Sequence, residues 1–266
     1  MDFTFQEDHS ENSFIATCRT CETKFNKYHF TKDRVPKYDH RNSESLLKYA
    51  KQLEGKTLQQ AVGEDVKFGG VRGFAKGKFG SNLEKFYFGY KGNSSHKPDF
   101  EELGVELKST GMQWDKNNPG EYEAKERISL AVIDFRAISL NQSFEDSLWT
   151  KIMKPLFVLT DYVSKEVENY NQPIIKVDYH RYKKSDVAEI YKEWKAIKKV
   201  ILTEGGGGLS QGKMKHNYLE PSTTGAKGTD LVPNVRGLED CKPRRFAFAK
   251  RKEGYAHKVV KDLLGY

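Results

Sequence analysis

Several features that would place this chain in other classes of protein are scarce or absent. Three cysteines in 266 residues cannot build the dense disulfide framework of a small secreted domain. The longest apolar run, near Ile128 to Phe135, is interrupted by Asp134 and is too short to cross a bilayer. The N-terminus has no basic stretch followed by an apolar one, so we expect no signal peptide. These absences together predict a cytoplasmic protein without a membrane partner.

The composition indicates a folded chain with a polyanionic partner. Hydrophobic residues make up 37% and aromatic residues 12%, which is enough to build a core. The net charge is +8 and the sequence pI is about 9.1, a balance typical of proteins that bind nucleic acid. The length fits one large domain with an extension. We predict an N-terminal extension over residues 1–42 and a main domain over residues 43–266.

The extension contains a pair of thiols, Cys18 and Cys21, separated by two residues. This spacing is half of a typical zinc site, and His29 and His40 are the available candidates for the other half. The sequence therefore leaves two interpretations open, a Zn²⁺ knuckle at Cys18 and Cys21 or two ordinary reduced cysteines.

The most informative stretch runs from Gly80 to Thr110, where acidic and basic residues recur in a predicted strand. Side chains in a strand alternate between its two faces, so Val105 and Leu107 share one face while Glu106 and Lys108 share the other. A turn-rich segment separates Asp99 from Glu106 and can fold Asp99 back beside the strand. Two carboxylates and an ammonium group that converge in this way are a candidate site for a hard divalent cation such as Mg²⁺. On spacing alone, a solvated strand face is the favoured interpretation of the pattern.

The residues around this triplet carry a resemblance to a known family. The segments Lys76 to Gly89, Lys97 to Phe100 and Leu103 to Thr110 resemble the MutH-type family, which contains a mismatch-repair nicking enzyme and GATC-cutting type II restriction endonucleases. That family lies within the PD-(D/E)xK nuclease superfamily, and the resemblance extends from about Leu46 to the C-terminus. It implies a mixed α/β fold of the restriction-endonuclease type, with a central sheet flanked by helices.

The resemblance also implies roles for individual residues. Asp99 and Glu106, with the carbonyl group of Leu107, would bind the metal, Lys108 would act in catalysis, and Glu84 would be the fourth acidic member. A DNA-contacting lysine would be Lys76 or its neighbour Lys78. The C-terminal part resembles the two recognition loops of the family, which gives a further set of candidate DNA contacts: Pro221, Thr223, Lys227, Arg244, Arg245 and Lys250.

The basic C-terminal stretch supports this interpretation independently of the resemblance. From Lys242 to Lys261 there are eight lysine or arginine residues and one glutamate, interleaved with aromatic residues. Such clusters neutralise phosphate groups, and arginine also reads guanine in the major groove. A basic surface tail without base contacts is the alternative.

Elsewhere the pattern is structural. Ser43 and Thr57 are predicted N-caps of two helices, and an amphipathic helix is predicted between Asp186 and Leu202. Gly207 to Lys213 spells G-x4-G-K, but Met214 replaces the serine or threonine that a P-loop requires. We therefore interpret the glycines from Gly205 to Gly208 as a flexible connection.

The combined prediction is a type II restriction endonuclease that hydrolyses double-stranded DNA at GATC or a related site with Mg²⁺, or Mn²⁺ as a substitute, giving 5′-phosphate ends. A homodimer on DNA and a cognate DNA methyltransferase, as a genetic partner, are expected. Two alternatives remain, a methyl-directed mismatch-repair nickase and a non-cleaving sequence-specific DNA-binding module. A single copy of the fold also leaves open that the chain is a fragment of a two-copy enzyme.

Overall fold

A computed structural model describes most of the chain from residue 38 onward. Residues 3–8, 13–18 and 24–25, and Lys78, are described by their backbone alone. From residue 38 the described part excludes a small set of positions: 65, 67, 69–77, 90–96, 117, 210–213, 215 and 224–229. The chain divides into two compact units. The first unit comprises Met1–Ser95, Asp99–Gln113 and Pro155–Tyr179, and the second comprises His96–Pro98, Trp114–Lys154 and His180–Tyr266.

The regular elements alternate between strands and helices, which agrees with the predicted mixed α/β class. The strands are β1 (Phe3–Asp8), β2 (Ser13–Cys18), β3 (Lys24–Phe25), β4 (Glu106–Trp114), β5 (Tyr122–Ala124), β6 (Ile128–Val132), β7 (Pro155–Asp161), β8 (Ile174–Tyr179), β9 (Leu219–Thr223) and β10 (Arg244–Phe248). The α-helices are α1 (Ser43–Ala50), α2 (Leu58–Val62), α3 (Lys78–Asn82), α4 (Phe135–Ser139), α5 (Thr150–Ile152), α6 (Lys184–Glu204) and α7 (Tyr255–Leu264). Two π-helical turns, Leu83–Tyr87 and Glu145–Trp149, extend α3 and precede α5.

The first unit is built on a mixed sheet in which β7 lies between β4 and β8. The strands β4 and β7 run parallel, with Glu106 opposite Pro155 and Lys108 opposite Phe157, while β8 is antiparallel to β7. Six of the seven residues of β7 are buried, as expected of a central strand covered on both faces. One face of the sheet packs on a hydrophobic core that includes Leu107, Leu156 and Val158. The predicted strands at 105–108, 156–159 and 174–179 are thus confirmed.

Helices α1 and α2 also contribute to this core. The buried residues Leu46 and Ala50 lie on α1, and Leu58 and Val62 lie on α2. The predicted cap of α2 is confirmed, because Thr57 and Gln60 form a reciprocal capping box. The predicted cap of α1 is wrong by one residue. Asn42 is the N-cap, and its side chain accepts hydrogen bonds from the N–H groups of Glu44 and Ser45, whereas Ser43 is the first helical residue.

The second unit contains a three-stranded antiparallel sheet in which β10 lies between β6 and β9. Phe246 and Phe248 are fully buried on β10 and pair with Pro221 and Leu219 of β9. The predicted amphipathic helix is confirmed as α6, whose residues Ile190, Trp194, Ile197 and Ile201 are buried. Burial with a period of 3.6 residues accounts for α6, whereas β9 is buried at four consecutive positions.

Two predictions in the second unit are corrected by the structure. The strand predicted over Ile128–Phe135 ends at Val132, because the Asp134 carboxylate accepts a hydrogen bond from the N–H of Ala137 and begins α4. The glycines at 205–208 do not form a flexible connection. Gly206–Gly208 is a 3₁₀ turn, and a Cβ atom on Gly206 would lie 2.5 Å from Cys241 Sγ and 2.7 Å from a ring atom of Phe135. Gly205, Gly206 and Gly208 are therefore needed for close packing, whereas Gly207 has open space around it.

The predicted extension contains the antiparallel sheet β1–β2–β3. The zinc hypothesis concerns Cys18, of which only the backbone is described, and Cys21 and His29, which lie outside the described residues. The division at residue 42 stays a prediction. No helix within the described part of the chain is both long and apolar enough to span a membrane.

Candidate active site

The first unit brings the predicted acidic and basic residues together at the start of β4. Glu106 and Lys108 share one face of the strand, and the Lys108 ammonium nitrogen lies 2.6 Å from Oε1 of Glu106. The Glu106 side chain is only 2% exposed and that of Lys108 is 15% exposed. Burial of an isolated carboxylate costs several kcal/mol, and the adjacent ammonium group offsets part of this cost at Glu106.

Asp99 is returned to the same strand by a tight turn. Phe100 and Val105 form an antiparallel bridge, with N–H to O distances of 2.9 and 3.2 Å, and residues 101–103 between them form a single 3₁₀ turn. Gly104 closes the turn in the left-handed region, at φ 61°. This conformation favours glycine because it brings a Cβ atom too close to the backbone in other residues.

Reciprocal hydrogen bonds fix the two carboxylates relative to each other. The backbone N–H of Asp99 donates to Oε2 of Glu106 at 3.2 Å, and the N–H of Leu107 donates to Oδ2 of Asp99 at 2.9 Å. Glu106 therefore accepts a hydrogen bond from the backbone of Asp99, and Asp99 accepts one from the backbone of the residue that follows Glu106. No described residue donates a hydrogen bond to Oδ1 of Asp99, so this oxygen can serve as a ligand.

The donor set at this point fits a hard cation. Mg²⁺ binds oxygen ligands, usually one or two carboxylates completed by water and phosphate oxygens. Oxygen ligands of this kind lie at the start of β4, where Glu106 offers a carboxylate and Leu107 a carbonyl group, and just before it at the carboxylate of Asp99. Among the described residues, no group of three or more histidine, cysteine, aspartate or glutamate side chains is arranged to hold a metal. A cation here would consequently rely on two carboxylates and non-carboxylate oxygens.

The remaining predicted residues of the first unit are placed only in part. Glu84 lies half-buried on the π-helical turn Leu83–Tyr87, so its predicted position on the preceding helix is correct while its role stays a prediction. Lys76 lies outside the described residues. Lys78 is the first residue of α3, and its side chain is not among those described.

The predicted DNA contacts of the second unit cluster on β9, β10 and the turn that follows. Pro221 is buried on β9, opposite Phe246, and Thr223 is exposed at the end of that strand. Arg244 lies opposite Thr223, and Arg245 follows it on β10. Lys227 lies outside the described residues. The sheet therefore brings Thr223 and Arg244 together, while Pro221 lies inside the strand pair.

Burial affects both arginines of β10. It lowers the pKa of the Arg244 and Arg245 guanidinium groups from their ordinary values, with the thiol of Cys241 opposing this effect at Arg244. Nε of Arg244 is buried without a hydrogen-bond partner among the described residues. A partly desolvated cation gains more from an anion than a fully hydrated one does. Lys250 differs from these arginines, because its ammonium group donates a hydrogen bond to the carbonyl oxygen of Lys125.

The sequence reasoning missed one charged cluster of this sheet. Glu220 on β9 is buried between Arg127 and Arg251, which precede β6 and follow β10 respectively. The three residues are distant in sequence, and only the strand pairing brings them together. The only sequence signal for this cluster was weak: Glu220 is the one charged residue in the strand Leu219–Thr223.

Comparison with known proteins agrees with this geometry. A family model described as DNA mismatch repair enzyme MutH matches residues 88–193, a range that contains Asp99, Glu106 and Lys108. The type II restriction enzyme Sau3AI of Staphylococcus aureus is 32% identical over 219 residues, which cover 81% of this chain. The match covers 42% of the length of that relative. The matched range, the relative and the mixed α/β architecture agree with one another, and the chain is similar to MutH-type endonucleases.

Proposed function

We propose that the protein is a type II site-specific deoxyribonuclease that hydrolyses double-stranded DNA at GATC or a closely related sequence, with Mg²⁺ as cofactor. The observation that carries the proposal is the cluster of Asp99, Glu106 and Lys108 at the start of β4, linked by hydrogen bonds of 2.6 to 3.2 Å. The name of the related restriction enzyme supports the same reaction class. Mn²⁺ is expected to substitute, because it accepts the same oxygen ligands.

Each residue of the cluster has a distinct task in this proposal. Asp99 and Glu106, with the carbonyl group of Leu107, would hold the cation, which when bound neutralises negative charge on the phosphodiester. Lys108 would orient the attacking water and stabilise the charge that develops on the phosphate. Departure of the 3′ oxygen leaves a 5′-phosphate end. Glu84 would hold a second cation or orient the ligands of the first.

The recognition surface would lie in the second unit. Thr223, Lys227, Arg244 and Arg245 offer the side chains that contact thymine methyl groups, guanine edges and phosphates. Pro221 would shape the loop that carries them, and Lys250 would contact the DNA backbone. Lys76 or Lys78 would add a phosphate contact from the first unit. A palindromic site has two scissile bonds, so a chain with one cluster would pair with a second copy on DNA or nick twice.

The decisive experiment uses purified protein and plasmid prepared with and without adenine or cytosine methylation. Incubation in Mg²⁺, followed by sequencing of the ends, is expected to give linear fragments with 5′ phosphates at GATC or a related site. Absence of cleavage in Mg²⁺ and in Mn²⁺, combined with metal-independent binding to a specific sequence, would replace the nuclease by a non-cleaving DNA-binding module. A cognate methyltransferase, as genetic partner, predicts that one type of methylation protects the plasmid.

A mismatch-repair nickase is the second candidate, and the description of the matching family model favours it. Such an enzyme would cut one strand of hemimethylated DNA slowly and would depend on a repair partner. Complete cleavage of both strands of an unmethylated plasmid by the protein alone would exclude it. Open circular product that accumulates without linear product would instead favour it over the restriction enzyme.

A further inference from the structure

One face of the sheet in the second unit carries a buried carboxylate together with a serine and an arginine. Antiparallel pairing places Glu220 of β9 opposite Ala247 and places Ser222 opposite Arg245. Alternation along the strands puts these residues on the face opposite to Leu219, Phe246 and Phe248, which are fully buried. The polar face thus carries a carboxylate on the outer strand β9 and an arginine on the central strand β10.

Glu220 is enclosed by two guanidinium groups. Its side chain is 5% exposed, Nε of Arg127 lies 2.6 Å from Oε1, and Nε of Arg251 lies 3.9 Å from Oε2. The contact with Arg127 is a close ion pair and not a hydrogen bond, since Oε1 of Glu220 has no hydrogen-bond donor among the described residues. One cation would neutralise the carboxylate. The second gives the cluster an excess positive charge, which costs free energy in a partly desolvated place unless an anion binds there.

Arg127 has donors available for such an anion. Its side chain is 38% exposed, and no described residue accepts a hydrogen bond from its terminal amino groups. Arg251 is more constrained, since its Nη2 also donates to the carbonyl oxygen of Met214 at 3.2 Å. Glu220 therefore attracts Arg127 on the side of its inner nitrogen, and no described residue uses the two outer amino groups. Their fork matches two oxygens of a phosphate group.

We propose that Glu220 is a positioning residue that holds Arg127 and Arg251 as a fixed two-guanidinium site for a DNA backbone phosphate, with Arg127 making the direct contact. The inference rests on the proposed function, since it names a further contact of the same protein with DNA. A duplex is the expected occupant because the cluster carries a net positive charge in a chain of net charge +8 and shares its sheet with Arg244 and Arg245.

The test measures duplex affinity as a function of salt concentration for R127A, R127K and the control variant R136A. Each phosphate contact contributes a slope of about −0.9 in log K against log[salt], so R127A is expected to lose about one contact from the slope and to weaken binding uniformly across sequences. R127K keeps the charge and loses the fork, so its slope is expected to stay and its affinity to fall. R136A removes an exposed arginine of α4 and is expected to change neither quantity.

Glu220 is tested by the sign of the effect. If Glu220 acts only through its negative charge, E220Q will bind DNA more tightly than wild type. If it positions Arg127 and Arg251, E220Q will bind several-fold more weakly despite its extra net positive charge. Thermal unfolding checks that the variant folds. If E220Q does not fold, the salt slopes of R127A and R127K still decide whether Arg127 contacts a phosphate.

The failure of this inference differs from the failure of the proposed function. An R127A protein with wild-type slope and affinity, in a preparation whose wild type binds and cuts DNA, overturns the phosphate site alone. A wild-type protein that binds no duplex at low salt overturns both. Tighter binding by E220Q overturns the positioning role of Glu220 while leaving Arg127 to be judged by its own slope.

Discussion

The Lys108 ammonium nitrogen lies 2.6 Å from Oε1 of Glu106, a residue two positions earlier on the same strand. The pair is enclosed, with Glu106 2% exposed. Removal of either charge leaves the other partly desolvated and without this ion pair. Variants at these positions must therefore be tested for folding as well as for cleavage.

Substitution K108A is expected to reduce DNA cleavage by about 10²-fold or more, in the range found when one group that stabilises developing charge is removed. Binding of duplex DNA should persist, because the proposed DNA contacts are other residues of the chain. Single-turnover cleavage and equilibrium binding measure the two effects separately. K165A, at a lysine whose side chain is 82% exposed, is the matched control and should cut normally. Cleavage by K108A at the wild-type rate would remove Lys108 from the proposed chemistry.

Mg²⁺ is expected to raise the melting temperature of the wild-type protein, because a ligand that binds only the folded state stabilises it by mass action, by about 2.7 kcal/mol at a concentration of 100 times Kd. D99N and E106Q should lose most of this increase, since each removes a charged ligand from the cluster. E101Q changes an exposed carboxylate in the turn between them and should keep it. Equal Mg²⁺-induced shifts in all four proteins would place the cation elsewhere. Removal of metal with EDTA should abolish cleavage.

Substitution G104A is expected to destabilise the protein by about 1 kcal/mol, because alanine pays for the left-handed conformation at φ 61° that the turn before β4 requires. A Cβ atom at this position meets no other atom within 4 Å, so the effect is conformational and not steric. Denaturant unfolding measures it. G207A is the control, since that glycine also has open space but no left-handed backbone. A neutral G104A would show that the turn relaxes, and Asp99 would then be less firmly held than its hydrogen bonds indicate.

Stability is expected to fall as the pH is lowered from 6.5 toward 4, in part through His180. Burial lowers the pKa of this histidine to about 4, with the carboxylate of Asp262 opposing the effect. The hydroxyl of Tyr255 donates to Asp186 at 3.1 Å and lies 2.9 Å from Nε2 of His180, which must then donate to the tyrosine oxygen. Between the two pKa values the unfolded chain binds a proton that the folded chain does not, and stability rises with pH.

The variant H180Q isolates this contribution, because glutamine can donate to Tyr255 but does not titrate. Its free energy of unfolding should depend less steeply on pH between 6.5 and 4 than that of wild type, by at most about 1.4 kcal/mol per pH unit. Above pH 6.5 the histidine is neutral in both states and no difference in slope is expected. Identical slopes in the acidic range would mean that His180 is protonated in the folded protein.

Local pattern was enough to predict the features that depend on neighbouring residues. Alternation placed Glu106 and Lys108 on one face of a strand, Thr57 was identified as a cap, and apolar spacing located α6. In each case the geometry repeats within a few residues, so the interactions that stabilise the element are already present in a short segment. The family resemblance was also carried by one short segment, residues 76–110.

The tertiary structure decided what depends on distant contacts. The return of Asp99 to β4 required the bridge between Phe100 and Val105, and the packing of Gly206 required Phe135 and Cys241. The charged cluster of Glu220, Arg127 and Arg251 exists only because three segments meet at one sheet. The sequence by itself determined which residues could bind a cation and which strand would carry them. Packing between segments far apart in the chain determined where their charges meet, because no local periodicity encodes such a partner.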